Sequence, residues 1–149
     1  MEELSEDLVH LILRVEKGLH ASIFRAVAAP EGLGRPEFGL LGHLHARGPS
    51  CLSEAAESLH MAKSQLSLVV ERLETQGLVE RLGEGKDRRV VRIRSTAEGE
   101  AAFRQAAEGL RSRLGELFAP LGEGELAVID QAFELLSTLI GGKARRGKC

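Results

Sequence analysis

Ser64, Gln65 and Ser67 are short side chains that both donate and accept hydrogen bonds, and Lys86, Arg88 and Arg89 form a tight group of cations further along the chain. Hydroxyl and amide groups on a helix suit the donor and acceptor patterns of base edges in a DNA major groove, and arginines suit phosphates or a narrow minor groove. Other chemistries lack their residues. There is no G-x-S-x-G nucleophile motif and no G-x-x-x-x-G-K-[ST] phosphate loop, and Gly83 to Lys86 is a glycine turn with no helix after it. His43, His45, Cys51 and His60 are potential metal donors. Two histidines two residues apart on a helix nevertheless point about 200° apart, and no Cys-x-x-Cys or His-x-x-x-His pair occurs. Neither catalysis, a metal nor a cofactor is expected. Cys51 would sit near a helix N-terminus, where a thiol is more reactive, but structural filler is the favoured reading.

The elements that must hold these groups follow from periodicity. In the run from Ala62 to Gly77, Leu66, Val69, Val70 and Leu73 recur at i, i+3, i+4, i+7, the spacing of an amphipathic helix whose apolar face packs inward. The opposite face then carries Ser64, Ser67, Leu68, Glu71 and Thr75, with Gln65 and Arg72 on one flank and Lys63 on the other. Gly77 is suited to the left-handed conformation of a helix stop. Leu78 to Arg81 and Val90 to Arg94 read as strands, and Leu82 to Arg89 between them is turn chemistry, which together make a hairpin with a basic tip.

These residues carry a family resemblance. Asp87, Arg88 and Arg89, followed by Ile93, Thr96 and Gly99, resemble the D-x-R wing and the following Leu-Thr-x-x-Gly of the MarR (multiple antibiotic resistance regulator) family. Upstream, the stretch from Ser53 to Arg81 is similar to that family's helix-turn-helix, including its Arg-Leu-Glu-x-x-Gly-Leu-Val run at Arg72 to Val79. Ser95 departs from the usual leucine, and Leu68 stands where the family often has a phosphate-binding arginine. The resemblance implies a mainly α fold with a small β-hairpin wing, a winged helix-turn-helix flanked by N- and C-terminal dimerisation helices. It implies a homodimeric, ligand-responsive repressor that lays Ser64 to Arg72 in a major groove of a pseudo-palindromic operator. The DNA-binding set would be Lys63, Ser64, Gln65, Ser67, Leu68, Arg72, Lys86, Asp87, Arg88 and Arg89, with Asp87 orienting Arg89. A small aromatic or phenolic ligand would settle near His20, Phe24, Phe38 and His43.

Composition is compatible with this. The 149 residues, 43% hydrophobic and 28% charged, suit one globular domain. No apolar run approaches a membrane span and no signal-peptide pattern opens the chain, so a cytoplasmic protein is expected. Cys51 and Cys149 make no disulfide framework. The net charge is −2, but residues 62–94 hold eight Lys or Arg against five carboxylates, whereas residues 1–46 hold four against seven. The asymmetry turns one surface toward DNA. A dimeric winged-helix interaction module with little specific DNA affinity is the alternative.

The remaining segments complete the expectation. A long amphipathic helix from Leu4 to about Val27 places Leu8, Leu11, Ile12, Val15, Leu19 and Ile23 on one stripe, too much for a small domain to cover, so it should pack partly on a partner. Pro36 begins a helix with Phe38, Leu40, Leu41 and Leu44 inward, Gly39 and Gly42 allowing close approach. A short helix starts at Ser50 to Glu54, with Glu54 as half of a capping box. Thr96 caps a helix to about Phe118, and the last helix runs from about Glu123 to Ile140. Residues 34–99 would be the winged helix, 1–28 and 100–141 the dimerisation helices, and 142–149 a disordered basic tail.

Overall fold

Apolar residues at helical spacing build most of the elements, which a computed structural model describes over residues 5–24, 33–83 and 91–141. Ser5 caps α1 (Glu6–Leu19) by accepting a hydrogen bond from the Leu8 amide at 3.2 Å. A π-helical turn, His20–Phe24, continues it. Then follow α2 (Arg35–Arg47), β1 (Ser50–Cys51), α3 (Leu52–Ser58), α4 (Lys63–Thr75), β2 (Val79–Gly83), β3 (Val91–Ser95), α5 (Ala97–Phe118) and α6 (Glu123–Gly141). None of the described helices is long and apolar enough to cross a membrane.

Among the described residues the main apolar cluster lies within the winged-helix part. Leu40, Leu41 and Leu44 of α2, Ala55 and Ala56 of α3, and Leu66, Val69, Val70 and Leu73 of α4 close on Val79 of β2 and Ile93 of β3. Phe38 is half-buried and stacks on Phe103 of α5, ring centroids 5.2 Å apart. The close approach at Gly42 comes from a side chain, Phe103, whose Cε2 lies 3.1 Å from where a Cβ would be.

Three joints set the geometry of α4. His60, at φ 53°, ends α3 in a left-handed conformation usually given to glycine, with its amide donating to Glu57 O and that of Met61 to Ala56 O. Gly77, at φ 72°, ends α4 in the same way, the amides of Gly77 and Leu78 donating to Glu74 O and Leu73 O. Thr96 then ties α5 to that stop. Its hydroxyl donates to Gly77 O at 2.7 Å and accepts from the Gly99 amide at 3.0 Å, while its own amide donates to Leu78 O.

The sheet has one strand more than the expected hairpin. Its order is β1-β3-β2, all antiparallel, with Ser50 opposite Ile93 and Arg81 opposite Ile93 from the other side. Ser50 and Cys51 therefore pair as a strand instead of opening the next helix, and Cys51 at the cap of α3 makes no side-chain cap bond. Cys51 is buried and disulfide-bonded, which corrects the expectation of an unpaired cysteine. The chain's other cysteine, Cys149, and the tail 142–149 lie outside the described residues.

Neither terminal helix is covered. No residue of α1 or α6 is buried, and Leu8, Leu11, Ile12 and Val15 of α1 with Phe133, Leu136, Leu139 and Ile140 of α6 stand exposed.

Candidate nucleic-acid interface and adjoining cavity

Helix α4 turns a mostly polar face to solvent because its apolar face is consumed by the core. Leu66, Val69, Val70 and Leu73 are buried, which turns Lys63, Ser64 and Gln65 into solvent and leaves Ser67 half-exposed. Leu68 sits among them with 59% of its surface exposed, an apolar contact on an otherwise polar face. The four residues at the hairpin tip, Lys86, Asp87, Arg88 and Arg89, lie outside the described residues, as does the side chain of Phe24.

The strands that carry that tip are described, and their arginines are engaged. Arg94 pairs with Glu80 directly across the β2–β3 ladder. Arg81 reaches back to Glu74 at the end of α4 at 3.2 Å, and Arg92 donates to the Pro49 carbonyl at 3.2 Å. Arg72, expected on the DNA-facing flank, is 61% exposed but holds Glu37 at 3.1 Å. The local excess of positive charge read from the sequence is thus partly neutralised. Among the described cations of the expected DNA-binding set, Lys63 at the start of α4 is outside these ion pairs.

His43 supports the interface from behind. It is buried between α2, β1 and α3, and Ser50 donates its hydroxyl proton to Gly48 O at 3.1 Å. Ser50 Oγ therefore accepts from His43 Nε2 at 3.0 Å, and His43 Nδ1 accepts from Ser58 at 3.1 Å. Burial lowers the pKa of His43 below 6.5, the Arg47 charge adds to the effect, and Glu54 opposes it. His45 is engaged elsewhere, with Glu100 at 2.7 Å and against the Phe103 ring.

A cavity of about 780 Å³ opens between the π-helical turn, α5 and α6. Leu19, Ile23, Leu110, Leu114, Phe118 and Phe133 give it apolar walls, and Glu16, His20, Arg35 and Asp130 give it polar ones. That size and lining suit a small, mostly apolar ligand with a polar end. Of the expected ligand residues His20 lines it. Phe38 and His43 do not, the first being turned onto Phe103 and the second into the helix-turn-helix core. Leu110 and Leu114 keep the helical register of the segment from Ala97, and Phe133 that of the last helix, but nothing in that spacing marks them, or Phe118 at the end of α5, as cavity residues.

Comparison with known proteins gives consistent matches. Residues 31–90 match the model of the MarR family. Over 97 residues the chain is 28% identical to the uncharacterized HTH-type transcriptional regulator YsmB of Bacillus subtilis, covering 65% of this chain and 66% of that one. Over 96 residues it is 29% identical to the HTH-type transcriptional repressor MdtR of Bacillus subtilis, covering 64% and 62%. The chain thus spans slightly less than two thirds of these relatives' lengths. In structure it is similar to Bordetella bronchiseptica BpsR, whose DNA binding is regulated by 6-hydroxynicotinic acid. There the TM-score is 0.75 at 22% identity, over 89% of this chain and 99% of that one.

Proposed function

Residues 31–90 match the model of the MarR family, and from that premise we propose that the protein is a member of it, a homodimeric, sequence-specific DNA-binding transcriptional repressor released by a small ligand. The observation that carries the reading is the division of α4, whose apolar residues are used up in the core while Ser64, Gln65, Ser67 and Leu68 face outward. In this reading the polar side chains read base edges in a major groove, Leu68 lies against a thymine methyl, and Lys63 meets a phosphate. Arg89, oriented by Asp87 and flanked by Lys86 and Arg88, enters the adjoining minor groove.

Residues 34–99 act as the DNA-binding unit, and the uncovered faces of α1 and α6 pair two subunits. Two-fold symmetry then spaces the half-sites about 10 bp apart or a multiple of it. The cavity takes an aromatic or phenolic molecule, since its walls are mostly apolar, with Arg35 and His20 among the polar residues that line it.

A gel shift with the DNA upstream of the protein's own gene, at two salt concentrations, tests this. Binding should be specific and should weaken steeply as salt rises. A second reading, a dimeric interaction module with little specific DNA affinity, is favoured by the pairing of Arg72, Arg81 and Arg94 with carboxylates. No shift at either salt concentration would select it.

A further inference from the structure

Among the described residues Glu37 is the one buried carboxylate, its side chain 6% exposed in the first turn of α2. A buried charge is costly unless paired, and such a pair is better suited to fixing a geometry than to adding stability. Its partner lies on another element. Arg72 of α4 forms an ion pair with it, Nη2 lying 3.1 Å from Glu37 Oε1. The other carboxylate oxygen, Oε2, lies over Gly34, 2.7 Å from where a Cβ would be, so the absence of a side chain at residue 34 makes room for it. Glu37 is therefore an anchored group on a helix packed against both α4 and α5, and the guanidinium is what the recognition helix offers to it.

We propose that Arg72 is a positioning residue rather than a DNA contact: held by Glu37, it fixes the rotation of α4 about its own axis. It thereby sets the direction in which Ser64, Gln65, Ser67 and Leu68 face the groove. Charge and geometry make opposite demands here, which exposes the role to experiment. Removing the negative charge of Glu37 favours a polyanion on electrostatic grounds alone, whereas loosening α4 misaligns every base contact at once.

This inference rests on the DNA-binding reading above. The test compares wild type with Glu37→Gln, Arg72→Gln, Arg72→Lys and the double glutamine variant. Affinity is measured across a salt series for a duplex from the upstream region and for a scrambled duplex of the same length, with thermal unfolding confirming that each variant is folded. Glu37→Gln should lower affinity for the specific duplex about tenfold, roughly the loss of one base contact, and leave the scrambled duplex unaffected or slightly better bound. Arg72→Gln should do the same without changing the salt slope, and the double variant should be no worse than either single one. Arg72→Lys, which keeps the charge but not the planar fork, should not restore full affinity.

The opposite result is equally clear. A salt slope smaller by about one for Arg72→Gln, with Glu37→Gln binding as well as wild type or better, makes Arg72 a phosphate contact and overturns the inference while the DNA-binding reading stands. Wild type that does not distinguish the two duplexes removes both. Should Arg72→Gln unfold because the buried carboxylate is left unpaired, the Glu37→Gln and Arg72→Lys arms still decide.

Discussion

A methyl group at Gly99 would lie 2.0 Å from the Leu78 carbonyl oxygen and 2.6 Å from Ser95 Oγ. That carbonyl already accepts from the Thr96 amide and cannot retreat without opening the joint between α4 and α5. Gly99→Ala should therefore destabilise the protein by about 1–3 kcal/mol, seen as a lower urea midpoint. His43 makes a prediction of the opposite kind, through protons. Its folded-state pKa lies below 6.5 because burial and Arg47 disfavour the charged form. The unfolded chain thus binds more protons than the folded one as pH falls below 6.5, so stability is full above that value and declines as pH drops through the folded pKa. His43→Gln should flatten the fall below pH 6.5 in chemical denaturation curves. Neither the steric need at Gly99 nor the paired hydroxyls on His43 is visible locally. Thr96 and Gly99 carry the family resemblance, but the reason for the glycine is a carbonyl on another element.

Elements whose period repeats were legible, and those specified by a neighbour were not. The core face of α4, the stop at Gly77 and the cap at Thr96 all follow from local spacing and turn chemistry, and the structure has them. The strand β1 is two residues long and exists because Ile93 and Arg92 offer it a ladder, so no alternation in its own sequence could announce it. The first helix was expected to run unbroken to about Val27, whereas regular α-helix stops at Leu19 and a π-helical turn follows to Phe24. The ion pairs of Arg72, Arg81 and Arg94 join different elements, and counting charges along the chain misses them. In the proposed DNA-binding reading, that neutralisation leaves minor-groove contact to the expected wing-tip residues. Arg89→Ala should weaken specific DNA binding by about 1–3 kcal/mol in a gel shift or anisotropy titration. Retained affinity at moderate salt would remove the wing from the interface.

For the molecule as a whole, the winged helix has a closed core and the terminal helices have none. The amphipathic stripes were readable from sequence, but which ones a single chain covers was not, because that depends on how the helices pack. Leu136 and Ile140 are one turn apart on an uncovered face of α6. Glu at both positions should leave a folded monomer in sedimentation and lower operator affinity by about a hundredfold, since linked half-sites gain roughly that much or more from effective concentration. The cavity belongs to the same scale, being walled by α5 and α6 together with the π-helical turn.

Helices α1 and α6 also determine how the protein comes apart. Most large apolar side chains of these two arms are exposed on the single chain, so in the proposed dimer their docking is a bimolecular event. Heat unfolding should accordingly begin at a temperature that climbs with the amount of protein in the cell, while the reading head, sealed by residues of one chain, outlasts its arms on dilution.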